Sequence, residues 1–285
     1  GDPENRGSVP LKEENIERLE EYMRAFNQPI STVNLDQGEY ANTGFTQWGA
    51  SGLAAVWAEE NTRESIFSAF RRKETFATTG TRIAVRFFAG YKLSTIDLNS
   101  ESLVSEAYEK GVSMGSDLLQ DENKIPEFIV WAQKDKNGAP LQRVQIIKGW
   151  IDVNSGRPKE KVFDVACSDG MQPDPITHRC PDNGAKVNIN DCSITKDVGS
   201  SELKTIWRDP EFVHQDKSFY YVRVLENPTC RWSTWDAVKA GFKPREDLHE
   251  TIQERAWSSP IWYNPKQSNV DVIPLGGTLE LRDLN

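Results

Sequence analysis

The spacing of apolar residues in the first third of the chain predicts two amphipathic helices. Between Leu11 and Phe26, apolar residues recur every three or four positions beside Glu-rich faces, which is typical of a helix with one buried face. A second helix is predicted over Thr62–Lys73, where Asn61 can cap the first turn and Glu64 can complete a capping box. The expected buried face of this second helix consists of Ile66, Phe67, Ala69 and Phe70.

Short runs of apolar and β-branched residues on both sides of the second helix predict strands. Leu53–Trp57 is an apolar run that is expected to form a buried strand. Thr75–Thr78 and Arg82–Phe88 are expected to be strands on either side of Gly80. The strands before residue 82 are isolated in sequence and must pair with something.

The second half of the chain alternates between strand-like runs and turn residues. Asn137 and Gly138 lie between Phe128–Gln133 and Leu141–Val153, and because Asn-Gly is a strong hairpin signal, these two runs are expected to pair. Ser218–Leu225 is apolar on both faces, which indicates a central strand. The other predicted elements are a strand at Lys161–Ala166 after the Ser155-Gly156 turn, short helices at Ser201–Trp207 and Thr234–Ala240, and a last strand at Thr251–Tyr263 with a bulge at Pro260.

Together these elements predict an α+β, β-rich fold in two parts with a C-terminal tail. Residues 1–82 mix helix and strand, whereas residues 83–265 are expected to form a β-sandwich-like region with loop insertions. Residues 266–285 are expected to be the tail.

Composition and charge exclude several classes of protein. The net charge is −9 and no basic block occurs, which argues against a nucleic-acid partner because such binding needs clustered Lys and Arg. No apolar run is long enough to cross a bilayer, so no membrane span is expected. The chain starts with Gly-Asp-Pro instead of Met, and we expect a processed or truncated product.

Four cysteines lie in loop-like sequence and are expected to form disulfides. A zinc site is the rival interpretation, but no Cys-x-x-Cys spacing occurs and only His178 is near. Disulfides indicate an oxidising compartment, so a periplasmic or secreted location is expected. Four cysteines allow three connectivities, and the sequence does not choose among them; the pairing that we favour is Cys167–Cys180 and Cys192–Cys230.

One candidate binding site is the turn that contains Thr78, Thr79 and Arg82. Hydroxyl groups, a glycine that allows close backbone approach and a forked guanidinium together suit recognition of phosphate or carboxylate. The alternative is a tight turn in which Arg82 pairs with a local carboxylate.

A second candidate consists of Glu59, Glu60 and Arg63, which follow the predicted strand that ends at Trp57. Chemistry in α/β folds gathers at the ends of such strands. Plain helix capping with solvated glutamates is the favoured alternative. Weaker candidates are the Asp-rich loops near the cysteines, which lack the order of a calcium loop, and the sugar-stacking rings Trp232, Trp235, Trp257 and Trp262.

Several long motifs resemble domain-of-unknown-function family 3604, which is related to the PHP-type metallohydrolases. The first two motifs are Gly49–Glu64 (GASGLAAVWAEENTRE) and Phe70–Ile83 (FRRKETFATTGTRI). The others are Ile146–Trp150, Phe219–Glu226 and Ile252–Tyr263, so the resemblance covers about residues 45–265.

The resemblance implies a bacterial exported protein of roughly twice this length, with a distorted α/β barrel whose N-terminal His-x-His and Asp-x-His motifs bind metal ions. This chain would then be the C-terminal portion, with the last barrel elements near residues 49–82 followed by the sandwich. Its partner would be the missing N-terminal half, and divalent metals are expected only with that half.

The histidines of this chain agree with that expectation. A hydrolytic metal cluster needs several His and carboxylate ligands, but His178, His214 and His249 are isolated in sequence. No metal site or cofactor is therefore expected here, and no catalytic residue is assigned. The predicted function is the C-terminal region of a PHP-like metal-dependent hydrolase, with phosphoesters as candidate substrates, inactive alone. The alternative is a non-enzymatic β-sandwich that binds a glycan or a protein partner.

Overall fold

The computed structural model describes residues 32–35, 38–41, 51–121 and 124–265. The helix predicted between Leu11 and Phe26 and the tail predicted over residues 266–285 lie outside these ranges. The helices are α1 (Arg63–Arg71), α2 (Leu103–Lys110) and α3 (Trp232–Ala240), with a short 3-10 helix at Leu93–Thr95. The strands are β1 (Thr32–Leu35), β2 (Gly38–Ala41), β3 (Leu53–Val56), β4 (Thr75–Thr78), β5 (Ala84–Gly90), β6 (Gly111–Ser113), β7 (Asp117–Leu119), β8 (Glu127–Gln133), β9 (Leu141–Ile151), β10 (Pro158–Cys167), β11 (Val187–Asn188), β12 (Ser193–Ile194), β13 (Glu202–Arg208), β14 (Ser218–Glu226), β15 (Thr229–Cys230), β16 (Thr251–Ile252), β17 (Arg255–Ser258) and β18 (Ile261–Asn264).

The larger of the two main sheets has eight strands, in the order β10-β9-β14-β17-β4-β3, with β18 paired to β14 and β7 paired to β18. All of its pairs are antiparallel except β7 with β18. The central position predicted for Ser218–Leu225 is confirmed, because β14 pairs with β9, β17 and β18. Strands β3 and β4 join this sheet through β17, so strands from both sides of residue 82 share one sheet.

The smaller main sheet has four antiparallel strands in the order β13-β8-β5-β6. Its inner face carries alternate residues of β5 and β8, and these pack against inner residues of the larger sheet in one apolar core. Aromatic rings fill the centre of this core: the Phe128 and Tyr220 centroids are 4.5 Å apart and those of Phe163 and Trp207 are 5.1 Å apart. The two sheets therefore pack face to face, as in a β-sandwich.

One ion pair is buried in the sandwich. Lys148 Nζ lies 2.6 Å from Asp209 Oδ2, and both side chains are almost inaccessible to solvent. The Tyr220 hydroxyl also donates to Asp209, at 2.8 Å, and the Glu211 carbonyl accepts from Lys148 at 2.8 Å. Both charges are thus satisfied by hydrogen bonds, which a buried pair requires.

The outer face of the smaller sheet is covered at one end by α2. Phe88 of β5 and Ile129 of β8 pack there with Leu103 and Ala107 of the helix and with Leu93. The sequence analysis did not predict α2. The other end of this face carries Arg86 and Trp131, which are only half-buried.

Helix α1 begins differently from the prediction. Thr62, and not Asn61, is the N-cap, and its hydroxyl accepts from the Ser65 backbone N–H at 3.3 Å. The predicted buried face is wrong for two of its members, because Phe67 is 63% exposed and Phe70 is 51% exposed. Strand β3 is also less buried than predicted, since it lies at the edge of the larger sheet.

The predicted hairpin at Asn137-Gly138 is wrong. The turn is present, with the Gly138 N–H donating to the Asp135 carbonyl at 3.1 Å, but it carries the chain from one sheet to the other. Strand β8 pairs with β5 and β13, whereas β9 pairs with β10 and β14. The turn across Ser155-Gly156 does join paired strands, β9 and β10.

Two further predictions near the C-terminal end differ from the structure. Ser201–Trp207 was predicted to be helical but forms strand β13, in which Leu203 pairs with Ala132 and Trp207 with Phe128. The single strand predicted over Thr251–Tyr263 is divided into β16, β17 and β18, with Pro260 in the break between the last two. The helix predicted at Thr234–Ala240 is confirmed as α3.

The cysteines form two disulfides, Cys167–Cys180 and Cys192–Cys230, which is the pairing that we favoured from the sequence. They close loops with sequence separations of 13 and 38 residues. Both therefore tether the segment between β10 and β13, where regular structure is limited to the short strands β11 and β12.

The β-rich fold class is confirmed, with few helices and several antiparallel sheets. Within the described ranges these sheets do not close into a barrel. None of the helices in those ranges has the length and apolar character needed to span a bilayer.

Candidate functional site

The turn between β4 and β5 is held in place by hydrogen bonds from three directions. The Thr79 hydroxyl accepts from the Arg255 N–H at 2.9 Å and donates to the Glu254 carboxylate. The Thr78 hydroxyl accepts from the Gly80 N–H at 3.2 Å, where a φ of 139° favours glycine. The Arg82 N–H donates to Asp135 Oδ2 at 2.8 Å. The turn predicted as a binding site is therefore pre-organised.

Directly beside this turn lies a buried carboxyl group, that of Glu226 at the end of β14. Glu226 is completely buried (0% exposed), and neither of its carboxyl oxygens makes a hydrogen bond of ordinary geometry. Burial raises the pKa of Glu226 to about 7, repulsion from Glu254 and Asp135 adds to the rise, and the nearby Thr81 hydroxyl opposes it. The group is thus poised to exchange a proton near neutral pH.

A shallow groove lies on the outer face of the smaller sheet, at the end that α2 leaves uncovered. It is open to solvent and has a cavity volume of only about 40 Å³, far below the roughly 300–1,000 Å³ of typical ligand pockets. The residues that line it, which we call the aromatic groove, are Trp57, Ala84, Arg86, Trp131 and Gln133.

Arg86 is fixed on one side of the aromatic groove. Its guanidinium carbon lies 3.7 Å from the centroid of the Trp57 ring, and the Trp57 indole N–H donates to the Val85 carbonyl at 2.8 Å. Arg86 Nη1 donates to the Tyr108 hydroxyl at 3.3 Å, and that hydroxyl donates in turn to Glu74. Burial raises the pKa of Tyr108 to about 12, and the Glu74 carboxylate adds to the rise. Tyr108 is therefore protonated at neutral pH and positions the guanidinium.

The opposite side of the aromatic groove is fixed by Glu202 of β13. Its carboxylate accepts from the Trp131 indole N–H at 2.7 Å and from the Gln133 amide at 3.1 Å. Lys204 lies 2.9 Å from Glu202 and 4.4 Å from the Trp131 ring centroid. Although burial alone would raise the pKa of Glu202, hydrogen bonds from Lys204, Gln133 and Trp131 lower it. The negative charge of Glu202 is thus matched locally.

The turn and the aromatic groove are neighbours in the fold. Ala84 pairs with Gln133 in the sheet register, and two residues beyond each of them Arg82 and Asp135 are hydrogen-bonded. We therefore treat them as one candidate site, with the aromatic groove as the concave part and the turn as its border.

A family model described as "Protein of unknown function (DUF3604)" matches residues 12–265. The chain belongs to this family. No curated protein and no solved structure matches the chain.

The residues of the DUF3604 chain that were predicted as binding candidates fall into two groups. Thr78, Thr79 and Arg82 form the turn, with Thr78 buried and Arg82 exposed. Glu59, Glu60 and Arg63 follow Trp57 and are exposed, and the Glu60 backbone N–H donates to the Ser65 hydroxyl at 3.2 Å. None of these six residues lines the aromatic groove.

The residues that do line the aromatic groove were missed, and the sequence carried only a weak signal for one of them. Arg86 alternates with the apolar residues Val85 and Phe87, which places it on the outer face of a strand. Trp131 and Gln133 lie far along the chain and reach Arg86 only because β8 pairs with β5.

The histidines do not converge on a metal-binding group. The His178 ring packs against Phe163 at 5.1 Å, and the His214 ring packs against Phe212 at 5.0 Å. In the part of the chain that the structure describes, no three His, Cys, Asp or Glu side chains are arranged to hold a metal ion.

Proposed function

We propose that the described region of this DUF3604 protein is a carbohydrate-binding module and that its binding site is the aromatic groove. The observation that carries this proposal is the combination of two indole rings with a guanidinium and a planar amide in one open groove. A sugar presents C–H groups that pack on aromatic rings and hydroxyls that bond to planar donors and acceptors. The aromatic rings suggested from the sequence, such as Trp235 and Trp262, do not line the groove.

The geometry of the groove supports binding of a ligand without catalysis. The side chains around the groove are held in place by Tyr108 and Glu202. Binding of a ligand would therefore cost little conformational entropy of the protein. The groove is too small to enclose a sugar, so it would contact one face of one unit of a longer glycan, and affinity for that unit should be weak, with a Kd in roughly the millimolar range.

Calorimetric titration with a panel of soluble oligosaccharides tests this proposal. The expected result is heat of binding for at least one glycan and a loss of affinity of about fivefold or more in Trp131→Leu. Trp262→Leu is the matched control, because Trp262 is also half-exposed but lies on β18 against Phe219. Equal losses in both variants, or no binding by the unsubstituted chain to any glycan, would refute the proposal.

A second candidate function follows from the motifs that this chain shares with its family. We propose that the chain is the C-terminal part of an exported PHP-like metal-dependent hydrolase, active on phosphoesters, whose metal ligands belong to a preceding N-terminal half. In that protein the strands near residues 49–82 would complete a distorted α/β barrel, and Arg63 and Arg82 would border the substrate entrance. The exposed guanidinium of Arg82, on a turn fixed by Asp135, supports this role.

Hydrolysis of bis(p-nitrophenyl) phosphate in the presence of Mn²⁺ or Zn²⁺ separates the two candidates. The second candidate predicts no turnover by this chain and measurable turnover by a longer product of the same gene. In that longer product, Arg82→Ala should lower kcat/KM, whereas Arg157→Ala, on the distant β9–β10 turn, should not. Turnover by this chain alone would exclude a catalytic centre supplied only by another segment.

The same proposal places the protein in the periplasm or outside the cell. Two disulfides support an oxidising compartment, because disulfides persist there and are rare in the cytosol. Thiol titration of the denatured, unreduced protein should find no free thiol among the four cysteines. Four reactive thiols in protein isolated under oxidising conditions would contradict export.

A further inference from the structure

The Arg86 guanidinium has several N–H donors that make no hydrogen bond within the described ranges. Apart from the hydrogen bond of Nη1 to Tyr108, it makes no hydrogen bond and no ion pair to any residue in the described ranges. Several other Arg side chains around the sandwich have a carboxylate or amide partner, such as Arg143 with Asp164 and Arg223 with Gln145. Within the described part of the chain, Arg86 thus has a stacked, oriented guanidinium that lines an open groove and has no carboxylate partner.

The charges around the aromatic groove favour an anionic ligand. Glu202 is matched by Lys204 at 2.9 Å, and Glu74 is matched by Arg72 at 3.4 Å. Glu74 also accepts the Tyr108 hydroxyl. Of the five residues that line the groove, Arg86 is the one that carries a charge, and no carboxylate in the described ranges forms an ion pair with it. A carboxylate would supply that compensation through two parallel N–H···O bonds, which are stronger and more specific than bonds to a neutral group.

The remaining groups of the groove suit the body of a sugar. The Gln133 amide nitrogen is used by Glu202, so its carbonyl oxygen is the atom left to accept from a ligand hydroxyl. Trp57 and Trp131 supply apolar ring surface on the two sides. An acceptor, two indoles and a guanidinium in one small groove match a ring that carries both hydroxyls and a carboxylate.

We infer that the aromatic groove binds an acidic sugar, a hexuronate, whose carboxylate pairs with Arg86 and whose ring lies against Trp57 and Trp131. This inference rests on the proposed carbohydrate-binding function and narrows its ligand to one chemical class. It assigns Arg86 the role of selecting for charge and Gln133 that of orienting the ring hydroxyls.

Indole N–H resonances in ¹⁵N-edited NMR spectra provide the test, with D-glucuronate and D-galacturonate as probes. D-glucose, D-galactose, acetate and inorganic phosphate serve as comparisons. A uronate should shift the resonances of Trp57 and Trp131 and leave that of Trp262 unchanged. Arg86→Gln should weaken uronate binding at least tenfold, and Arg86→Lys, which keeps the charge but not the fork, should weaken it by a smaller factor. Arg157→Gln removes one exposed Arg elsewhere and should bind as the unsubstituted chain does.

Each alternative outcome has a distinct meaning. If neutral sugars bind as well as uronates and Arg86→Gln has no effect, the acidic-sugar inference fails while carbohydrate binding stands. If acetate or phosphate produces the same shifts at the same concentration, the groove is a general anion site and the inference fails. If no sugar shifts either indole, both proposals fail. Because Arg86→Gln removes a stacking partner of Trp57, its melting curve is compared first, and Gln133→Leu, which should also weaken uronate binding, provides a second variant that leaves the stack intact.

Discussion

At the scale of single residues, the informative side chains are polar groups in buried places. Lys148 and Asp209 form an ion pair inside the sandwich, and Glu226 has a carboxyl group with no hydrogen bond of ordinary geometry. Neither position is marked in the sequence, because a Lys or a Glu in a strand most often faces solvent. The Thr78–Arg82 turn was recognisable, since Gly and hydroxyl residues between two strands are typical of a tight turn.

The buried ion pair predicts an asymmetric response to substitution. Asp209→Asn removes the negative charge that compensates the buried Lys148 ammonium, so the free energy of unfolding should fall by about 3–5 kcal/mol. Lys148→Met should cost less, because Asp209 keeps the Tyr220 hydroxyl and the Glu211 N–H as donors. Urea unfolding of both variants measures the difference. Equal losses, or a larger loss in Lys148→Met, would contradict this account of how the pair is stabilised.

The pKa of Glu226 predicts that stability decreases as pH rises. An unfolded Glu ionises near its ordinary pKa of 4.5, whereas burial first, and nearby carboxylates next, raise the folded pKa to about 7. Between those values the unfolded state binds fewer protons than the folded state, so stability falls with pH, by about 3 kcal/mol in total once the folded pKa is passed.

Glu226→Gln removes this titration, so its free energy of unfolding should change much less between pH 5 and pH 8 than that of the unsubstituted protein. Urea unfolding at the two pH values measures the change. Glu109→Gln, at an exposed position of α2, is the control and should retain the full decrease. Parallel curves for Glu226→Gln and the unsubstituted chain would show that Glu226 does not carry the effect.

At the scale of elements, local patterns identified most strands but not their partners. Strand-like runs of residues bounded by turns located β5, β8, β9, β10 and β14 to within a few residues. The Asn137-Gly138 turn was also real, yet the pairing inferred from it was wrong, because the strands on its two sides enter different sheets. Leu203 and Ile206 are spaced as in a helix, but pairing with β8 along the whole of β13 overrides that local preference.

The start of α1 gives a prediction at this scale. Thr62→Ala removes the hydroxyl that accepts from the Ser65 N–H and should destabilise the protein by about 1 kcal/mol. Asn61→Ala should have an effect close to zero, because Asn61 lies outside the helix and does not cap it. Thermal melts of the two variants compare them directly. A larger loss for Asn61→Ala would restore the capping arrangement predicted from the sequence.

At the scale of the whole molecule, both the sandwich and the aromatic groove are products of long-range pairing. The residues that line the groove come from three separate segments: the pairing of β5 with β8 joins those near Arg86 and Trp131, and the Trp57 indole reaches them through its hydrogen bond to the Val85 carbonyl. A single sequence shows which residues can bind a ligand but not which strands adjoin, so it could not connect Trp131 and Gln133 with Arg86. The cysteines are the exception, because four cysteines in loops indicate covalent long-range links directly.

Those links predict how the molecule responds to loss of each disulfide. In the chain-entropy model a closed loop restricts the unfolded state more as it lengthens. Replacing Cys192 and Cys230 with Ser should therefore lower the free energy of unfolding by about 4 kcal/mol, and replacing Cys167 and Cys180 by about 3 kcal/mol, given separations of 38 and 13 residues. Denaturant unfolding of the two double variants under identical conditions measures the order. If the variant that lacks the Cys167–Cys180 disulfide is the less stable one, native contacts around Cys167 and Cys180 outweigh chain entropy. The loops between β10 and β15 would then be stabilised mainly by packing on the larger sheet.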